Sequence, residues 1–552
     1  MRKKNKMKKI ESIINNHNKL FIVLFFVILF AIGLLFVSRV NGNFDENTEQ
    51  SILLSNIKDY SELLHIDPVT NYIHKRQILA ISVDPNRDHG IASYYLFTPI
   101  LLLKTNHSHF VSLSWHVYTF CIAFIGVIFF YKLINYLFKN QRLSVLMTTV
   151  YYFTPRLFID SLHNNKDIVM MSLLIPMIYF GTRMIKEKKI RWALLFAVFG
   201  AFVSNVKVIG LFFVGVFGLG YIVYLTIKKE WSKKNFAVGL IAALSVFAFY
   251  IMLTPAIWGD GFKLIEYIQY CLGNAVDFSA PTAVRFEGEI HLHTTNPLPW
   301  YYIPKLVLIT MPIILTGLFL LSILLIVFDF IKSIIKKSFD EINYYYLIVL
   351  VLLLVPLIIA LTSNPNLYNG WRHFYFLYSL MLIISTYIVS KLFNSKISMK
   401  IIVCILSLLV IFNLSCIFKY GPANTAYYNI LAGKGDLSGT YELDYYNVTS
   451  QDAFKKFMKT DKYETNDDGM IYLYSGGFGE TILRDMKSYI DSDISQKIVI
   501  VNKETYPEKL KEGKIVYNLI NPVYRFNDSK DYELVYTYKI FDNNVIYIFK
   551  MN

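Results

Sequence analysis

The stretch "RVNGNFDENTEQS" (39–51) sets two neighbouring carboxylates, Asp45 and Glu46, just beyond a long apolar run, Leu20 to Val40. Farther along, "DSLHNNKD" (160–167) supplies His163, Lys166 and Asp167, and "SNVK" (204–207) supplies Lys207. "NPNLYNGWRHF" (364–374) adds Arg372 and His373, and "DPNRDHG" (84–90) adds Asp88 and His89. A carboxylate can take the proton from an attacking hydroxyl. Lysine and arginine can hold a phosphate and stabilise its charge as it leaves. Acids and bases gathered at one membrane boundary therefore suit a reaction on a lipid-linked phosphate, which lies at headgroup depth. The chain has no Walker loop, and this chemistry requires none.

Each of these residues also has a plainer reading. Acids at the end of a membrane helix are often just solvated, and Lys207 and Arg372 could simply reach for headgroups. What sets the group apart is that several elements bring charge to the same side. His291 and His293 in "EIHLHTTN" lie two apart, as metal ligands or strand neighbours do. No cysteine or carboxylate signature accompanies them, so no metal site is assigned. No cofactor is required, and a divalent metal has no support in the pattern. "PLPWYYIP" (297–304) reads as an interfacial aromatic belt in preference to a sugar platform.

The elements that must position these groups are apolar helices. The 552 residues are 55% hydrophobic and only 17% charged, and apolar runs recur from residue 20 to residue 418. Many approach the ~20 residues that cross a bilayer core. The expected spans are 20–40, 113–131, 143–159, 168–185, 192–204, 207–227, 236–254, 305–331, 344–362, 374–390 and 401–418, eleven in all. With Met1 inside, the short inner loops carry 25 Lys and Arg, against only Lys166, Lys207 and Arg372 in the short outer ones. That asymmetry orients the chain. It also requires two helices across 192–227, because one would carry "KKEWSKKN" outside and invert every later loop. The formal charge of +15 is thereby assigned to anionic headgroups, and no nucleic-acid partner is expected. The first apolar run is too long for a signal core and reads as an uncleaved anchor. Four cysteines, three of them inside apolar runs, imply no disulfide framework.

Three long segments, 41–112, 255–304 and 419–552, then fall outside. "IASYYLFTPILLL" (91–103) is too short to span and is expected to lie in the interface, with "EQSILLSNIKDYSELL" as a second amphipathic helix. In the tail, "GMIYLYSGG", "KIVIVNKE" and "KIVYNLI" are strand-like, and "ETILRDMKSYI" is helical. "ELVYTYKIFDNNVIYIFKM" reads as a hairpin turning at Asp542-Asn543. The expected architecture is a polytopic α-helical membrane protein. It has a basic cytoplasmic stretch (1–19), a transmembrane domain (20–418) and an extracytoplasmic α/β domain (419–552).

Taken in order, "FDE" (44–46), "RDHGIA" (87–92), "TPRLFIDSLHNNKD" (154–167), "SNVKVIGL" (204–211), "PWYYIPKLVLIT" (299–310), "YNGWRHFYF" (368–376) and "YYNILAGKGDLSGTYELDYY" (427–446) resemble bacterial members of glycosyltransferase family 39. That family lies in the GT-C superfamily, with the protein O-mannosyltransferases and the lipid A aminoarabinose transferase. The resemblance implies a GT-C-like fold, a polyprenyl-phosphate-linked sugar donor and inverting transfer outside the cytoplasm. It implies Asp45 as the base with Glu46 beside it, Asp167 as the second acid, and Lys207, Arg372 and Lys166 around the lipid phosphate. Here "NNKD" stands where the family has "NPKD". The acceptor, a glycan, lipid or protein, is not specified by any motif.

Two rival classes fit the same composition. A transporter or flippase for lipid-linked saccharides would want charged groups near the bilayer midplane, whereas here they collect at one face. A catalytically silent surface or assembly factor would have the C-terminal domain as its working part, and Asp45 and Asp167 lying far apart would favour either rival.

Overall fold

The computed structural model describes residues 2–40, 45–103, 108–277, 283–363, 365–474, 476, 479–488, 490, 492–522 and 532–551. Among the described residues, eight helices are long and apolar enough to cross a membrane. Two shorter ones, Ile190–Val206 and Phe376–Leu392, also pack into the bundle. The count of eleven spans is therefore not reproduced by length alone.

Two of the three missing spans are those shorter helices, and the third has a local cause in proline. The expected span 143–159 is two pieces, Gln141–Tyr152 and Pro155–Asp160. The expected span 305–331 is likewise broken into Tyr302–Thr310 and Ile313–Ile335 at Met311-Pro312. Proline lacks the amide that would continue a helix but suits the first turn of the next. At the second break, the Asn429 side-chain amide donates to the carbonyls of Leu308 (2.7 Å) and Met311 (2.6 Å), satisfying acceptors the break exposes. Residues 192–227 do form two helices, Ile190–Val206 and Ile209–Lys228, as the loop charges require.

Before the second long helix, Ser108–Phe138, the chain forms the amphipathic helix Glu46–Leu63 and a short helical stretch, Ala92–Leu102, too short to cross. At the opposite end of the bundle, Lys186 pairs with Glu341 (2.9 Å) and so ties helix Asp167–Glu187 to helix Glu341–Ser363, while Arg183 pairs with Glu187 (2.7 Å) within its own helix.

The C-terminal part carries a five-stranded sheet in the order Ile498–Val501, Ile471–Tyr474, Val516–Ile520, Asn543–Met551, Glu533–Ile540. The first three strands are parallel, linked through the helices Glu480–Ser488 and Tyr506–Lys511; the last two form an antiparallel hairpin. Its turn lies one residue earlier than the sequence suggests: Phe541 (φ 50°) and Asp542 (φ 66°) are the left-handed pair. Two consecutive positive φ values match the twist of a two-residue hairpin.

Candidate active site

Asp45 sits at the N-cap of helix Glu46–Leu63, yet its side chain caps nothing. Its carboxylate accepts a hydrogen bond from Nη1 of Arg372 at 2.9 Å. The same nitrogen lies 3.8 Å from Asp167, so carboxylates 122 residues apart in sequence converge on one guanidinium. Lys207 Nζ donates to the other oxygen of Asp167 at 2.6 Å and to the carbonyl of His373 at 3.3 Å. Asp45, Asp167, Lys207 and Arg372 thus form one cluster at one end of the bundle.

Each member is held by local structure. Asp167 opens helix Asp167–Glu187, and Asn164 builds its approach. The Asn164 side-chain oxygen accepts from the amides of Lys166 (3.3 Å) and Asp167 (2.8 Å), and its amide reaches the Asp167 carboxylate (3.3 Å). These contacts form an Asx-type turn ahead of the helix. Lys207 lies in extended backbone between two helices, so its side chain leaves the bundle axis sideways. Two close approaches keep that break in place. A Cβ on Gly210 would come within 2.4 Å of the Ser204 amide nitrogen, and one on Gly90 within 1.5 Å of the Asn205 carbonyl oxygen.

Arg372 follows a tight turn in which Asn369 (φ 56°) and Gly370 (φ 70°) are both left-handed. The Gly370 amide donates to Glu442 (3.0 Å), its carbonyl accepts from the Tyr302 hydroxyl (3.1 Å), and the Trp371 indole donates to Thr310 (2.9 Å). Tyr368 and Tyr446 place their rings 5.1 and 5.0 Å from the guanidinium carbon, and the Tyr446 hydroxyl contacts Nη1. Burial works against the charge on Arg372, but Tyr446, Asp45 and Asp167 outweigh it and hold the guanidinium firmly protonated. Burial pulls Lys207 below the usual lysine range against the opposing pull of Asp167. His373 is driven well down by burial and by the adjacent Lys207, which keeps its imidazole neutral.

The remaining candidates fall around this cluster instead of within it. Glu46 is buried, with its carboxylate 3.0 Å from His116 Nε2, and so is turned towards helix Ser108–Phe138. His163 lies fully buried, 3.4 Å from Asp160 and edge-on to Tyr446 at 5.3 Å. His89 pairs with buried Glu49 at 2.9 Å. Burial raises the Glu49 carboxyl, but His89 and then Lys166 outweigh it and leave it below the ordinary range. Lys166 therefore couples electrostatically to both Glu49 and Lys207. Asp88 is not in contact with the cluster; its charge is felt by Tyr267 and Cys271 on helix Leu264–Asp277. Phe44 of "FDE" and Asn364 of "NPNLYNGWRHF" lie outside the described residues. Sequence reasoning missed Glu49, Tyr368, Tyr446 and Glu442 as site neighbours. Tyr368, Tyr446 and Glu442 were inside quoted motifs, but nothing in their spacing tells an aromatic wall from core.

Residues 88–258 match the family model of the dolichyl-phosphate-mannose-protein mannosyltransferases. No curated protein matches the chain. Among solved structures, ArnT from Cupriavidus metallidurans bound to undecaprenyl phosphate aligns over 96% of this chain and 98% of that one, at 8% identity and a TM-score of 0.43. Its apo form aligns over the same shares at 12% identity and a TM-score of 0.43. The stretch that carries Asp88, His89, His163, Lys166, Asp167 and Lys207 is thus similar to a mannosyltransferase family of the GT-C superfamily, and this bears out the resemblance read from the sequence.

Proposed function

We propose that this chain is a membrane glycosyltransferase that moves a sugar from a polyprenyl-phosphate donor to an extracytoplasmic acceptor, with inversion at the anomeric carbon. One observation carries the reading: Arg372 Nη1 is shared by Asp45 and Asp167, and Lys207 holds the far oxygen of Asp167. Two cations and two carboxylates in one cluster offer both the tools the reaction needs.

Asp45 keeps 36% of its side chain exposed, whereas Asp167 keeps 3%. The exposed acid can meet an acceptor; the buried one, clamped between Lys207 and Arg372, orients them. Asp45 takes the hydroxyl proton, and the acceptor oxygen forms its bond to the anomeric carbon. The bond from that carbon to the phosphate oxygen breaks, and the phosphate departs with the electron pair. Lys207 and Arg372 hold the charge it gains. Because the entering oxygen attacks opposite the leaving phosphate, the anomeric configuration inverts. The charge asymmetry of the loops supports placing this end of the bundle, with the sheet-bearing tail, on the outer side.

The test is transfer from a labelled polyprenyl-phosphate sugar in membranes bearing the full chain or Asp45→Asn. Loss of ~100-fold or more is expected for a missing general base. Undiminished transfer by the variant would overturn the assignment.

A further inference from the structure

Tyr446 comes from the segment that follows the last long helix, and that segment is gripped by the C-terminal sheet at several points. The Asn521 side-chain amide, just past strand Val516–Ile520, donates to the Asp444 carbonyl and the Asn447 side chain, both at 2.6 Å. Asn543 accepts from the Leu437 amide at 2.7 Å, and the Tyr538 hydroxyl donates to Asp452 at 2.6 Å. Phe541, at the hairpin tip, packs on Tyr420 with ring centroids 4.1 Å apart. Asp444 turns the chain locally by accepting from the Val448 and Thr449 amides (3.2 and 2.9 Å). Tyr445 meets Tyr375, hydroxyl to hydroxyl, at 2.9 Å. These contacts hold the residues on either side of Tyr446.

We propose that Tyr446 is a positioning residue for the transfer reaction, and that the C-terminal domain serves the active site by holding it against Arg372. The proposal rests on the reading of the site given above. Arg372 Nη1 pairs with Asp45 and has Asp167 in reach, but contacts through one nitrogen lack the geometric constraint of a bidentate pair. The Tyr446 hydroxyl takes a hydrogen bond from that same nitrogen, and its ring and that of Tyr368 bracket the guanidinium. The two rings flank the guanidinium while the Tyr446 hydroxyl sets its reach. A donor phosphate then finds the guanidinium held in one orientation beside Asp45 and Asp167. Tyr446 therefore acts through Arg372, and the sheet acts through Tyr446.

The experiment compares the full chain with Tyr446→Phe and Asn521→Ala, each purified in detergent. Phenylglyoxal modification of Arg372, read by mass spectrometry, reports the guanidinium directly. Transfer from a labelled undecaprenyl-phosphate sugar reports kcat and KM. Loss of a hydrogen bond to a charged group predicts a kcat lower by about 10-fold in Tyr446→Phe, with KM moving far less. Arg372 modification should be several-fold faster in both variants. Asn521→Ala lies outside the cluster, so a parallel change there separates positioning from any direct role of the phenol. Unchanged modification rates in both variants would overturn the proposal. So would an effect confined to the yield of folded protein, with kcat per folded molecule intact. If the unmodified chain transfers nothing, the proposed function fails, and the modification rates still decide this inference.

Discussion

At the scale of single residues, the site depends on one buried guanidinium. Arg372→Lys keeps the charge but loses the planar fork and its contacts with the Tyr368 and Tyr446 rings. Transfer should fall by about 100-fold or more, because a preorganised donor to the leaving charge is typically worth that much. Near-normal kcat in this variant would show that charge alone suffices. Glu442 gives a pH-dependent prediction. Burial raises its carboxyl from 4.5 to about 7 against the opposing Gly370 amide. The folded chain therefore holds a proton that the unfolded chain releases at lower pH. Stability should fall as pH rises from about 4.5 to 7 and stay lowered above that, by ~3 kcal/mol at most. Thermal unfolding between pH 5 and 8 measures the slope, and Glu442→Gln should flatten it. A slope that persists in Glu442→Gln would assign it to other groups.

At the scale of elements, the placement of Lys207 depends on how closely the first loop presses on the break between helices Ile190–Val206 and Ile209–Lys228. Asn205 accepts from the Ala92 amide (2.9 Å) and donates to the Leu253 carbonyl (3.1 Å) and Thr254 (3.0 Å). Gly90→Ala would drive a methyl group into the Asn205 carbonyl. We expect a lowered melting temperature together with reduced activity, since overpacking against backbone costs about 1–3 kcal/mol. A melting temperature and kcat equal to those of the parent would show that the loop can move away. Much at this scale was legible beforehand. The loop charges required the break at "SNVK", and the strand-like runs in the tail outlined the sheet. The breaks at Pro155 and Pro312 were not anticipated, because an apolar run looks continuous whether or not another residue, such as Asn429, caps its exposed carbonyls.

At the scale of the molecule, four separated stretches meet at one end of the bundle, and the proposed orientation puts that end outside. Single cysteines at Glu62 and Asp542, introduced into a variant lacking the four native cysteines, should react with a membrane-impermeant maleimide on intact cells. A cysteine at Lys188 should react only after the cells are opened. Labelling of Lys188 from outside, or of Glu62 only from inside, would reverse the orientation and with it the side on which transfer takes place.

The sequence by itself determined that the chain is a membrane bundle, where most of its apolar segments lie, where charge gathers between them and which family it resembles. Apolar length and loop charge are local properties, readable along a single strand of text. Only the tertiary structure decided which acid faces which base. It turned Glu46 to His116, sank His163 beside Asp160, and brought Tyr446 from beyond the bundle onto Arg372. Side-chain partners are set by packing between segments up to 327 residues apart, and one residue's rotation about a helix axis is enough to change them.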